Sequence, residues 1–487
     1  MINLAVLLLA MTTLLFIPLL ILKYGYLPPD DVLRHAAKAV SGKELGEILV
    51  LNDEIVMDTH PGWHVILGFW QQLTDWDTEN MAVFSILILF WLFCLVPLTL
   101  FKRPEAWLTS LLAVTATLPY ITSRLVLGRP LLVSMTVLLL LCHQWRNLAG
   151  QKTPLVTMTV LTAGFAAATW IHCAWYLFIL PIAAFCLARE WKAARRLTTA
   201  IVIGIGFGAL FTGQPLAFLF QNLAFPFRAM GTHQLQRTLV SEFRPFDGEL
   251  LIFPLVTALL AWRALRGNWN RKCLDNPVFI LASMSWVLGF IAGRFWFDWG
   301  VPAILFWIAL ELQDVCETFL PAGAKGRLMM TLAVGITLLL VTTSDIYGRW
   351  TNTLTKEYLT SGNHALKDWM PLPDGIIYSD SMTVFYDTFF KNPKAPWRYM
   401  LGYEPTMMPS GDLAIFRNIQ WHYSADETFT PWIKKMRPKD RLILRRSRYN
   451  MPAMPQLEWR YAVKNTWIGR PRTNADDQTS TAEGDDQ

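Results

Sequence analysis

Long apolar runs recur along the chain as far as residue 345, separated by short polar clusters, and the pattern then changes. Eleven runs read as membrane-crossing helices, near 2–22, 81–101, 106–122, 126–142, 155–171, 174–188, 198–219, 250–266, 277–293, 299–319 and 328–345. A crossing helix needs about 20 mostly apolar residues. The fifth and sixth runs meet at the tight corner Ile171-His172-Cys173. The first, Ile2 to Leu22, has no charged start and no small-residue cleavage site, so it reads as a retained span. From 346 the pattern is that of a soluble domain. Gly375 to Tyr378, after Pro-Asp-Gly, predicts a strand, Ser381 to Phe390 a helix, and Arg441 to Leu444 a second strand. The expected fold is an α-helical polytopic membrane protein with about eleven transmembrane helices over 1–345, a small α/β domain over 346–473 and a disordered acidic tail at 474–487.

Charge orients the spans. Lys102 and Arg103, Arg146 and Lys152, Arg189 to Arg196, Arg263 to Lys272, and Lys325 with Arg327 occupy alternate short loops. The positive-inside rule puts such loops in the cytoplasm. The N-terminus is then cytoplasmic and the C-terminal domain extracytoplasmic, on the plasma (inner) membrane. The loop 23–80, the turns 123–129 and 294–298, and the loop 220–249 face outward. Within 23–80, Leu33, Ala36, Ala37 and Val40, then Leu45, Ile48 and Leu49, have helical spacing interrupted at Ser41-Gly42. That predicts helices lying along the membrane surface.

Composition agrees. The chain is 53% hydrophobic and 16% charged, against about 25% charged in a soluble domain. The net charge of +6 sits in the basic loops, which argues against nucleic acid as a partner. The 22 tryptophans fit interfacial belts and also surfaces that stack on sugars. Six cysteines without CxxC spacing argue against a disulfide framework or a structural zinc site. The chain has no Walker A, Rossmann glycine pattern, GxSxG or HExxH, so nucleotide-driven transport and zinc-protease chemistry have no motif here.

The candidate chemistry lies on the outward segments. Asp30 and Asp31 follow Pro28-Pro29 just beyond the first span. Asp30 reads as a helix N-cap. A carboxylate beside a lipid surface is also partly desolvated, which raises its basicity and suits a general base acting on a hydroxyl. Asp58-Thr59-His60-Pro61-Gly62-Trp63-His64 could bind a ligand, hold a metal or form a structural turn, and Pro61-Gly62 argues against a regular helix there. Arg124 and Arg129 flank one outer turn against the charge bias, which fits anion binding as well as snorkelling to headgroups. His172 stands in its corner either as a structural residue or as part of the site. Arg294 either serves an anion or pairs with Asp298. The loop 220–249, with Arg228, His233, Arg237, Glu242, Arg244 and Asp247, is long enough for a lid and equally reads as a solvated loop.

These features resemble the GT-C membrane glycosyltransferases, among them protein O-mannosyltransferases and lipid A aminoarabinose transferases. Asp30-Asp31 matches their acidic pair after the first span. Thr59-His60-Pro61-Gly62 resembles their His-Pro segment, with Gly62 in place of a second Pro. Arg124 and Arg129-Pro130 resemble their Arg-containing turn. The resemblance implies a polyprenyl-phosphate-linked sugar donor, a hydroxyl acceptor on a glycan, lipid or protein, and inversion at the anomeric carbon. It implies Asp30 as base and Asp31 orienting it or the acceptor. Arg124, Arg129 and Arg294 would stabilise the departing phosphate, with His60 on sugar or phosphate. No cofactor is implied. Metal dependence varies across the superfamily, and no metal is assigned. Two rival readings are a transporter or flippase for a lipid-linked glycan and a non-catalytic subunit of an envelope assembly. A docking subunit should tolerate Asp30→Asn, and a transferase should not.

Overall fold

A computed structural model describes residues 2–230, 244–267, 273–320 and 325–472. Helices α1 (Ile2–Lys23), α2 (Asp31–Ser41), α3 (Leu45–Ile48), α4 (Pro61–Thr74), α5 (Thr78–Leu95), α6 (Pro104–Thr117), α7 (Tyr120–Leu125), α8 (Leu131–Ala149) and α9 (Leu155–Ile171) open the chain. Apolar helices follow at Ile179–Leu187, Trp191–Leu210, Pro215–Met230, Ile252–Leu265, Pro277–Gly289, Val301–Phe319 and Lys325–Thr343. Six helical segments among the described residues are long and apolar enough to cross a membrane, and five more apolar helices are shorter. Leu4, Leu8 and Phe16 on α1, Val202 and Phe207, and Met329, Ile336 and Leu340 stay exposed around one buried core. Water would not tolerate so broad an apolar surface. This is the build of a polytopic, helical, membrane-embedded protein. The run expected at 106–122 is divided, because α6 ends at Thr117 and α7 begins after Pro119.

The short basic loops meet at one end of the bundle. The Lys102 amide donates to Gln313 (3.0 Å), and Arg103 donates to the Leu320 carbonyl (2.9 Å). Arg327 donates to Glu105 through Nε (2.6 Å) and Nη2 (3.0 Å) and also to Asn3. A cavity of about 310 Å³ at the same end is lined by Trp145, Arg146, Arg263, Glu311 and Asp314.

The C-terminal region carries five strands, β1 (Ile376–Tyr378), β2 (Arg398–Tyr399), β3 (Arg441–Leu444), β4 (Leu457–Val463) and β5 (Thr466–Pro471), in the order β2-β1-β3-β5-β4. β1 is parallel to β2 and β3, and β5 is antiparallel to β3 and β4. The helix Met382–Lys391 connects β1 to β2. The first loop joins this sheet. Leu49 bridges Tyr399, and the Val50 amide donates to the Tyr399 carbonyl (2.9 Å).

Helix α2 begins where Asp30 caps it, and Asp30 Oδ1 accepts from the Asp31 amide at 2.6 Å. It ends at Gly42, whose φ of 64° suits glycine. Both features follow the sequence pattern. Its apolar face, however, is buried rather than laid on lipid. Leu33 and Ala36 belong to the bundle core, and Ala37 belongs to a second core with Phe385, Phe389 and Tyr399. The exposed apolar row belongs to α4, at Val65, Phe69 and Leu73. Helix α4 forms although Pro-Gly argued against it, because Pro61 takes the first helical position, where no amide is required. Gly62 is needed at that point, since a Cβ there would lie 2.5 Å from the Trp170 ring.

Candidate functional site

Opposite the basic loops, side chains from four separate segments meet α2 and its cap, at 60–64, 128–129, Tyr386 and Tyr403. Arg129 grips Asp30 with two groups, Nε to Oδ1 (3.1 Å) and Nη2 to both oxygens (2.8 and 2.7 Å). A two-pronged contact of this kind fixes geometry as well as charge. It forms because Gly128, at φ 64°, brings the turn against Val32 of α2, where a Cβ would lie 2.7 Å away. Asp31 Oδ1 accepts from Arg34 Nε (2.8 Å) and Tyr386 Oη (3.1 Å). Asp31 Oδ2 faces Arg129 at 3.9 Å, beyond hydrogen-bond range. Burial would raise the Asp31 carboxyl, but the Arg34 and Arg129 guanidiniums outweigh it and hold it below the usual carboxylate range.

Arg34 lies 3.8 Å above the Tyr403 ring, and Tyr403 Oη meets Thr59 Oγ1 at 3.1 Å. Thr59 Oγ1 also meets His60 Nδ1 at 2.9 Å. Arg124 Nη2 and Arg294 Nε both donate to the buried Asp298, at 2.6 and 3.2 Å. The pairing of Arg294 with Asp298 therefore occurs, and it also draws in Arg124. His172 Nδ1 lies 3.1 Å from Ser134 Oγ.

Four of the eight histidines gather here. The rings of His35 and His60 are 5.1 Å apart, those of His35 and His64 4.9 Å, and those of His60 and His172 5.9 Å. His64 Nδ1 is hydrogen-bonded to Asp58, and His64 Nε2 is 2.7 Å from His35 Nδ1. Burial and the Arg34 charge push His60 down to about 3 and hold His35 well below its ordinary value. Asp58 and His64, for which ligand contact, a metal or a structural turn were open, bond to each other. Among the described residues no three His, Cys, Asp or Glu side chains converge to hold a metal ion.

The seven residues assigned to the site from sequence, Asp30, Asp31, His60, Arg124, Arg129, His172 and Arg294, meet in one region. The sequence reading did not single out Arg34, His35, Tyr386, Tyr403 or Glu404. A usable signal existed for the first two, since Asp31, Arg34 and His35 recur at i, i+3 and i+4 on one helix face. The last three come from the C-terminal domain, and only the fold brings them over the site. Burial, opposed by Arg294, raises Glu404 from 4.5 to about 7. A raised carboxyl stabilises the fold while it is protonated and loses that contribution as pH rises through its folded value. The melting temperature of the wild type should therefore carry a falling component between 4.5 and about 7 that Glu404→Gln lacks. A Gln variant with the same pH profile would contradict this.

Of the loop 220–249, the side chain of Arg228 and residues His233, Arg237 and Glu242 lie outside the described residues, as does the tail 474–487. The Arg244 carbonyl accepts from the Gly293 amide at 2.7 Å. No protein-family model and no curated protein matches the chain.

Proposed function

We propose that the protein is a GT-C-like membrane glycosyltransferase moving a sugar from a polyprenyl-phosphate donor to a hydroxyl acceptor. In this reading eleven spans leave the N-terminus in the cytoplasm and the C-terminal domain on the extracytoplasmic side of the plasma membrane. The observation that carries the proposal is the meeting of the Asp30-Asp31 pair with Arg129 under Tyr386 and Tyr403, beside the Arg124–Asp298–Arg294 set. A carboxylate able to take a proton and guanidiniums able to meet a released anion stand in one site, as a reaction that removes a proton and releases an anion requires.

Asp30 is occupied by Arg129, whereas among the described residues Asp31 Oδ2 accepts no hydrogen bond. Asp31 is accordingly the base, and Asp30 holds Arg129 in place, a division opposite to the one the resemblance implies. The acceptor O–H breaks toward Asp31 as its oxygen attacks the anomeric carbon from the face opposite the phosphate. The bond from anomeric carbon to phosphate oxygen breaks with inversion. The released polyprenyl phosphate takes the electron pair and is met by Arg129 and Arg294. His60 and His172 line the sugar position. Tyr386, Tyr403 and Glu404 close the site from above, so the C-terminal domain is part of it.

Binding of the released product tests this reading. Polyprenyl phosphate should raise the melting temperature of detergent-purified wild type and do so at least tenfold less effectively for Arg294→Met. An unchanged melting temperature for wild type across a concentration series would overturn it.

A further inference from the structure

We propose that His35 Nε2 is a proton-accepting position for an O–H or N–H group of the bound ligand, supported by a hydrogen-bonded chain through His64 to Asp58. His35 is fully buried, and its Nε2 has no hydrogen-bond partner among the described residues. An orphaned buried polar atom is costly. The His35 ring that carries it lies 5.1 Å, centroid to centroid, from the ring of His60.

The chain fixes which hydrogen sits where. Asp58 Oδ1 accepts from the His60 amide (2.9 Å), and Asp58 Oδ2 bonds to His64 Nδ1. An ionised carboxylate can only accept, so His64 carries its hydrogen on Nδ1 and presents a lone pair at Nε2. That lone pair is 2.7 Å from His35 Nδ1, which must then donate. With His35 neutral, its second nitrogen is left bare. His35 is therefore left with a bare imidazole lone pair at Nε2, its position set by two outer residues.

The same chain can carry a proton. When a ligand O–H gives its proton to His35 Nε2, the His35 Nδ1 hydrogen passes to His64 Nε2. The positive charge then rests on His64, next to the Asp58 carboxylate, and His35 remains neutral. The groups facing His35 are Arg34, His60, His64 and His172. They include a fixed cation and no carboxylate, so His35 is a poor place to keep a charge and His64 a better one. His35 touches the ligand in this scheme, while His64 and Asp58 position it. The acceptor is distinct from the Asp30-Asp31 pair and would act on any ligand O–H or N–H, whether or not the protein transfers sugar.

Nitrogen-15 NMR of histidine-labelled full-length protein in detergent or nanodiscs, titrated with acid, tests it. The expected neutral form has His35 with hydrogen on Nδ1 and a bare Nε2. A single protonation event should move the His35 and His64 signals together, with His35 exchanging its hydrogen to Nε2. In Asp58→Asn the two signals should titrate separately. A neutral His35 carrying its hydrogen on Nε2, or independent titration of the two residues in wild type, would overturn the proposal. If the relay titrates as expected and polyprenyl phosphate does not bind, the transferase reading fails and this one stands.

Discussion

Asp31→Asn should reduce sugar transfer by about 10²–10⁴-fold, the usual worth of a positioned general base, in a protein that still folds. Asn keeps an oxygen for Arg34 and Tyr386, which bond to Asp31 at 2.8 and 3.1 Å, so the local frame survives while the proton acceptor is lost. Asp31→Ala should be worse for stability, because it strands the buried Arg34 above Tyr403 with no carboxylate. The contrast separates chemistry from folding. Wild-type melting with transfer lost identifies Asp31 as the base. Transfer at more than a tenth of the wild-type rate in Asp31→Asn removes it from that role.

The largest stability effect is expected at the other end of the bundle. Glu105 is fully buried and takes both contacts from Arg327, itself 2% exposed, with Arg103 at 3.5 Å. Glu105→Leu leaves two buried guanidiniums without their carboxylate and should cost about 3–5 kcal/mol. Adding Arg327→Met should restore part of that loss, since replacing both partners with apolar groups is often close to neutral. Thermal or denaturant unfolding of the two single variants and the double variant gives the interaction energy directly. A Glu105→Leu variant that melts like wild type would show that the pair does not hold α1, α6 and Lys325–Thr343 together.

What the sequence discloses and what it hides divide along range. The apolar runs are local signals that the fold answers with apolar helices, six of them long enough to cross a membrane among the described residues, and the cap at Asp30, the break at Gly42 and strands β1 and β3 are local signals of spacing and turn residues that the fold also carries. Pro61-Gly62 has the form of a breaker, yet Pro at the first helical position and glycine under Trp170 serve the start of α4. The hairpin of β4 and β5 went unread, although a tight turn at Lys464-Asn465, with Asn465 at φ 55°, joins strands ending at Val463 and starting at Thr466. The burial of α2 was not legible, because what covers it lies more than 300 residues away in sequence, as the Tyr386–Asp31 bond does. The partners of the site residues were hidden for the same reason. Arg129 could be suspected of binding an anion, but not that it grips Asp30, and Glu404 has no local motif at all.

On the proposed reading, the cluster around Asp31 transfers sugar from a polyprenyl phosphate. The most direct measurement incubates purified wild type and Asp31→Asn with a panel of radiolabelled polyprenyl-phosphate sugars and a membrane extract as acceptor source. The account predicts donor-dependent label in the acceptor fraction with wild type and its loss in a normally melting variant. Equal label with both proteins, or no consumption of any donor by wild type, would contradict it.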